Sequence, residues 1–299
     1  MASLPKVGLN VVPVPSSLLV RFARLAEDMG FESLWSGEHV CLPANEDWWR
    51  GYPTVTATAA RGEPVDPSLV PFTPHSPFHE PLIVLSHLAA VTSRVRLGVG
   101  IYLLALRDAV LVGRALASLD VLSGGRIDLG VGLGWSPEEY AYTGNDWHKR
   151  GRKLDETILA LRALFEQDEP EFHGEFYDFP KIGFQPKPVQ RPFPIHVGGF
   201  TPAAERRAAR LGNGWYGGPA HIPSVKAQLA EQGRADEPFT FGMIEPRGMI
   251  ERDELLRLAD QGVDRVVTTV WPQTLEPSAD DPDAPLRELE AYARRIGLV

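Results

Sequence analysis

Residues 94–135 read RVRLGVGIYLLALRDAVLVGRALASLDVLSGGRIDLGVGLGW, an apolar run, a helical stretch and a second apolar run, with glycines where each run ends. Val95 to Ile101 and Ile127 to Val131 are short and nearly continuous in apolar character, the pattern of parallel strands covered on both faces. Between them Val112, Ala115, Leu116 and Leu119 recur at helical spacing. The stretch therefore reads as a βαβ unit. Glycines at the strand ends let a ligand approach the backbone, and ligands of parallel α/β folds sit at that end.

The same alternation extends in both directions. Lys6 to Pro13 predicts a first strand, followed by a helix whose buried face is Leu18, Phe22, Leu25 and Met29 and which Gly30 ends. Ser33 to Gly37 predicts a second strand. From Val40 to Phe78 periodicity is lost among prolines, Trp48 and Trp49, so residues 40–78 read as an active-site loop. A helix starting near Pro81 turns Leu82, Leu85 and Leu88 inward. Beyond the opening unit, Leu154, Ile158, Leu161 and Phe165 mark another helix. Residues 167–191 form an insertion, with a small hairpin at Phe172, Phe176 and Phe179. Pro194–Val197, Asn213–Tyr216, Phe239–Ile244 and Val263–Val270 predict four further strands. Thr201 caps a helix from Pro202 to Gly212, a weakly amphipathic helix follows around Val225 and Leu229, and another spans Leu255–Ala259. A last helix carries Leu286, Leu289, Ala293 and Ile296. Eight alternations with no linker predict one (β/α)8 barrel domain over residues 1–299.

Composition narrows the function. The 299 residues are 43% hydrophobic and 23% charged, enough for a large core. With 39 acidic against 30 basic residues the net charge is −9, which argues against nucleic acid as the main partner. Cys41 is the one cysteine, so an intrachain disulfide and a cysteine metal cluster are excluded. Neither a signal peptide nor an apolar run near 18 residues stands out, and a reducing cytoplasm is the expected address, with no membrane partner.

Candidate chemistry gathers at the predicted strand ends. Glu38 and His39 follow the second strand, where a barrel points side chains into its mouth. A carboxylate beside an imidazole suits proton transfer; the same pair also serves to tie a strand end to its loop. Gly98 and Gly100 close strand three, and Gly130, Gly132 and Gly134 run through the end of strand four. Their spacing is not the G-x-G-x-x-G of a dinucleotide fold. Gly198, Gly199, Phe200 and Thr201 lie between a strand and a helix N-terminus, a ready phosphate site or an ordinary capped turn. Pro74 and Pro77 prevent a helix that would align His75 with His79, so no metal is expected there. No G-x-S-x-G elbow or Walker loop is present. Trp48, Trp49, Trp135, Trp215 and Trp271 are candidates for the wall of an aromatic cofactor pocket.

LWSGEH at 34–39, RVRLGVGI at 94–101, LDVLSGGRIDLGVGLGW at 119–135, RGRKLDETILALRALF at 150–165 and PIHVGGFTPAAERRAARLGNGWY at 194–216 stand in this order. Together they resemble the bacterial luciferase-like monooxygenase superfamily, especially its branch using coenzyme F420, a 5-deazaflavin. The resemblance covers nearly the whole chain. It implies a luciferase-type barrel with the deazaflavin in the mouth and His39, preceded by the acidic Glu38, beside the reactive ring carbon. It further implies a cis peptide at Gly100–Ile101 behind the ring, Leu133 and Gly134 along it, and Gly198 to Thr201 on the cofactor phosphate. Sugar-phosphate dehydrogenases of that branch carry a glutamate where this chain has Trp135, so a more apolar substrate is expected, in a pocket walled by Trp135 and Trp48. The implied activity is hydride transfer between F420 and a small organic substrate, with Glu38 orienting His39. The alternatives are an FMN-dependent monooxygenase fed by a separate reductase, and a non-catalytic flavin-binding protein. Relatives of this kind imply a homodimer.

Overall fold

The computed structural model describes residues 3–246, 248–271 and 281–299. Eight parallel strands close into a barrel: β1 (Lys6–Asn10), β2 (Ser33–Ser36), β3 (Arg96–Tyr102), β4 (Ile127–Val131), β5 (Ile195–Gly198), β6 (Gly214–Tyr216), β7 (Thr240–Glu245) and β8 (Arg265–Thr268). The order around the barrel is sequential, and β1 pairs with β8 to shut it, Lys6 opposite Arg265 and Leu9 opposite Thr268. Predicted and observed strands agree to within a few residues at each end. The helices are α1 (Leu19–Asp28), α2 (Pro53–Ala60), α3 (Pro81–Ala89), α4 (Ala109–Ser123), α5 (Pro137–Tyr142), α6 (Arg150–Glu166), α7 (Pro202–Leu211), α8 (Ile222–Glu231), α9 (Arg252–Asp260) and α10 (Ala284–Ile296).

Local chemistry explains the deciding unit. Asp108 caps α4 by accepting from the amides of Val110 at 3.0 Å and Leu111 at 2.9 Å, and Gly124 ends it at a φ of 71° that favours glycine. Val112, Leu116 and Leu119 of α4 are buried against the barrel, but Ala115 is exposed and Ala117 takes its place in the core. The helical face is rotated from the one expected because Gly113 and Ala117 let α6 pack close: a side chain at Gly113 would meet Leu161 and Leu164. In α6, Leu154, Ile158, Leu161 and Phe165 are all buried, each contributing about 1.5–3 kcal/mol of transfer free energy.

The strands are less uniformly apolar than their sequence pattern suggests. Arg96, Asp128, His196 and Arg265 each interrupt an apolar run, and their side chains meet inside the barrel. Asp128 on β4 reaches Arg265 on the opposite wall at 3.3 Å, Arg96 at 2.6 Å and His196 at 3.0 Å. Arg265 continues to Glu32 at 2.6 Å and to the Tyr216 hydroxyl at 3.1 Å. Most of these groups lie at the N-terminal ends of their strands, so an ionic layer plugs the floor of the barrel while the opposite end stays open. Burying this many charges is tolerable because each faces an opposite charge or a hydrogen-bond partner.

Residues 40–78 are not a plain loop. They contain α2 and a single turn at Pro67–Leu69, and Trp49, Val55 and Val70 form a small core of their own, joined by Trp48, Tyr52 and Phe72. Their lack of periodicity reflects a flap folded around a handful of aromatics rather than a helix laid on the barrel. The second insertion holds the expected hairpin, Phe172 opposite Phe179. Among the described residues no helix is long and apolar enough to cross a membrane.

Candidate active site

The open end of the barrel holds a cavity of about 1130 Å³, bounded by strand ends and by the 40–78 flap. Glu38 and His39 follow β2, Gly100 and Ile101 lie late in β3, Leu133 and Gly134 follow β4, and Gly198 to Thr201 join β5 to α7. All of these residues border this cavity, as does Trp135. Its volume exceeds the roughly 300–1,000 Å³ of a pocket for one drug-sized ligand, leaving room for a cofactor and a substrate together.

His39 is held from behind. Its Nδ1 lies 3.2 Å from Oε2 of Glu139, while Oε1 of the same carboxylate accepts from the Val40 amide at 2.7 Å. Glu139 is fully buried in the first turn of α5. Facing an ionised carboxylate, which only accepts, a neutral imidazole would carry its hydrogen on Nδ1 and its lone pair on Nε2. Nε2 makes no hydrogen bond among the described residues. Around the imidazole stand Phe72, Phe78 and Trp135, with ring centres at 4.9, 5.1 and 5.4 Å. Glu139 escapes a reading of the sequence, although its place just past strand four, shortly after Trp135, is the available signal.

Glu38 does not orient His39, contrary to the expectation from their adjacency. Neighbouring residues after a strand point in different directions, and Glu38 turns toward the β3–α4 connection. Its carboxylate pairs with Arg107 and accepts from the Leu103 amide at 2.6 Å. Burial pushes its carboxyl above the usual range, against the pull of Arg107. Arg107 also stacks on Tyr102 at 3.8 Å, and the Tyr102 hydroxyl donates to Glu80 at 2.8 Å. Glu38 thus fastens the end of β2 to the segment after β3.

The Gly100–Ile101 peptide is cis, where the β3–β4 register shifts. A side chain at Gly100 would reach the Ile244 methyl at 2.5 Å, and one at Gly132 would collide with Ile101. Gly134 has a φ of +67°. These residues give a smooth backbone wall next to His39. Beyond it, Thr201 Oγ1 caps α7 by accepting from the Ala204 amide at 3.3 Å, and Gly199 adopts a φ of +142°. Two arginines missed from the sequence border the cavity nearby. Arg207 is paired with Asp155, whereas Arg150 stacks on Trp147 at 3.6 Å, donates from Nη1 to its carbonyl, and has a buried Nε with no partner among the described residues. An elongated ligand with a flat ring and an anionic end fits this sequence of wall, helix N-terminus and guanidinium with no carboxylate on it.

The tryptophans divide. Trp135 and Trp271 border the cavity, and so does Trp35, which tilts against Tyr216 at 5.0 Å. Trp48 does not: it stands behind Phe72, at 5.9 Å, in the core of the flap. A place in an aperiodic segment suggests the pocket for Trp48, but that segment needs the indole for packing. Trp49 and Trp215 are buried and do not border the cavity either. Among the described residues no group of three or more His, Cys, Asp and Glu side chains is placed to hold a metal ion.

A sequential parallel barrel with a histidine, a cis peptide and a glycine wall at its mouth defines an α/β barrel of the luciferase type. The family model for luciferase-like monooxygenases matches residues 11–247, and the chain belongs to that family. It is 36% identical over 93% of both chains to an uncharacterised protein of Mycobacterium tuberculosis. It is 33% identical to the FMNH(2)-dependent dimethylsulfone monooxygenase of Pseudomonas putida, over 50% of this chain and 42% of that one. The coenzyme F420-dependent tetrahydromethanopterin reductase of Methanopyrus kandleri has the same fold, with a TM-score of 0.68 at 16% identity over 98% of this chain and 99% of that one. Members of this family are oxidoreductases and monooxygenases, and both deazaflavin- and flavin-dependent proteins stand among the neighbours.

Proposed function

We propose that the protein is an F420-dependent oxidoreductase that moves a hydride between the deazaflavin and a small apolar organic substrate. The observation that carries this reading is the His39–Glu139 pair, which leaves one imidazole nitrogen without a partner beside the smooth wall of Gly100, Ile101, Leu133 and Gly134. When bound, a deazaflavin supplies a carbon centre that exchanges hydride and reacts poorly with oxygen. Leu133, Gly134 and the Gly100–Ile101 segment would hold the ring, and Gly198 to Thr201 with Arg150 would hold the phosphate.

His39 Nε2 takes the proton of a substrate hydroxyl during oxidation, or returns one to a carbonyl oxygen during reduction. Glu139 fixes the tautomer and stabilises the imidazolium that forms. The aromatic flap and Trp135 exclude water and press the substrate against one face of the wall. Fluorescence titrations with F420 and with FMN test the cofactor. F420 binding more tightly than FMN is expected; a clear preference for FMN overturns the assignment. The FMN-dependent monooxygenase reading is the rival that the Pseudomonas putida relative favours, and it would require reduced flavin from a separate reductase.

A further inference from the structure

Resting on that reading, we infer that the substrate is a compact, uncharged cyclic ketone or the matching ring alcohol, recognised by an aromatic box that the flap builds over His39. Tyr52, Phe72 and Phe78 come from the flap and Trp135 from the barrel. Their rings meet almost at right angles: Tyr52 to Phe72 at 88°, Phe72 to Phe78 at 86° and Tyr52 to Trp135 at 87°. His39 lies edge-on to Phe78 at 82° and to Trp135 at 71°. All five residues border the cavity.

Perpendicular rings present faces on some sides and edges on others. A flat or puckered ring can lie against both at once, because aromatic faces attract C–H edges; an open chain of equal carbon number touches them along a line only. The polar groups on the rings of the box are uncharged: the Tyr52 hydroxyl, the Trp135 indole N–H and Nε2 of His39, the last of which meets the reacting oxygen. Of the arginines that border the cavity, Arg61, at the end of α2, holds Glu63 at 2.6 Å, Arg207 is paired with Asp155, and Arg150 stacks on Trp147, outside the box. A phosphate or carboxylate on the substrate would enter the box unpaired, which a desolvated aromatic wall disfavours.

In the reductive direction the carbonyl carbon receives a hydride, with its two electrons, from the reduced deazaflavin. The carbonyl oxygen receives the proton of the His39 imidazolium at Nε2, and the products are a ring alcohol, oxidised cofactor and neutral His39. The reverse direction consumes the alcohol and returns the proton to Nε2.

The test is calorimetric and fluorescence binding of cyclohexanone, hexan-2-one and glucose 6-phosphate to the protein with and without F420, with turnover followed separately. Cyclohexanone binding about tenfold or more tightly than hexan-2-one supports the box, since a ring gains several aromatic contacts. Phe72→Leu and Trp135→Leu, which keep apolar bulk and lose the ring faces, are expected to bring that ratio close to one. Equal affinities in the unaltered protein, tighter binding of glucose 6-phosphate, or a ratio that survives both substitutions overturns it. A ring ketone bound with the expected preference but never reduced defeats the hydride-transfer reading and leaves the box standing. Reduction of both ketones with equal affinity does the opposite.

Discussion

The imidazole Nδ1 of His39 and the carboxylate of Glu139 are 3.2 Å apart, and the carboxylate is buried. Two segments a hundred residues apart in sequence are thereby joined at the point where the proton transfer is proposed. A group that acts through another's tautomer is tested by a substitution that keeps shape and removes charge.

Glu139→Gln is that substitution. Its amide can donate to Nδ1, which moves the imidazole hydrogen to Nε2 and removes the basic lone pair from the cavity. Turnover should fall about 10²–10⁴-fold, the range of a lost general base or wrong tautomer. Affinity for the cofactor should be preserved, because the ring wall is backbone. Steady-state rates and a cofactor titration on one preparation check this, and unchanged turnover would show that Nδ1 needs no carboxylate.

Arg107→Met removes the partner of a buried carboxylate. Glu38 keeps only the Leu103 amide, with the like charge of Glu80 nearby, so the loss should reach about 3–5 kcal/mol, typical of a broken buried pair. Urea denaturation measures it. Arg107→Met with Glu38→Gln in the same chain should recover part of that loss, because the remaining side chain no longer needs a counter-charge. A double variant as unstable as the single one would contradict the clamp.

Gly199→Ala probes the helix N-terminus. The glycine has a φ of +142°, and an added methyl would come within 2.8 Å of the Ala204 side chain. The turn must then open, shifting the backbone that leads into α7 at the cavity border. Cofactor affinity should drop about tenfold or more, equivalent to roughly 1.4 kcal/mol, and the drop should be smaller for a cofactor fragment lacking phosphate. Identical losses for both ligands would mean that the turn does not contact phosphate.

The fold was legible because parallel strands and their covering helices leave distinct periods in the chain, as at 94–135, and the glycines that end them mark the mouth. What escaped detection depends on contacts distant in sequence. Glu139 is unremarkable in a helix start until the barrel brings it behind His39. Adjacency suggested Glu38 instead, yet adjacent residues after a strand diverge. Trp48 and Phe72 belong to one aperiodic segment, and only packing decides that Phe72 faces the cavity while Trp48 backs it. Asp128, His196 and Arg265 each interrupt an apolar run, and only the closed barrel turns them toward one another.

That ionic floor sets the acid limit of the fold. Burial alone would raise the Asp128 carboxyl, but the hydrogen bonds and charges of His196, Arg265 and Arg96 outweigh it and hold the group far below the ordinary aspartate range. A carboxyl whose folded pKa is depressed contributes stability that is present above its unfolded value, about 3.9, and is lost as pH falls toward the folded one. The protein should therefore lose stability progressively below about pH 4. Asp128→Asn should flatten that acid dependence while lowering stability at neutral pH by about 3–5 kcal/mol, because Arg265 and Arg96 are left facing an uncharged amide. Denaturant midpoints from about pH 3 to about pH 7 for both proteins make the comparison. An unchanged acid slope in the Asp128→Asn variant would place the acid sensitivity elsewhere in the molecule.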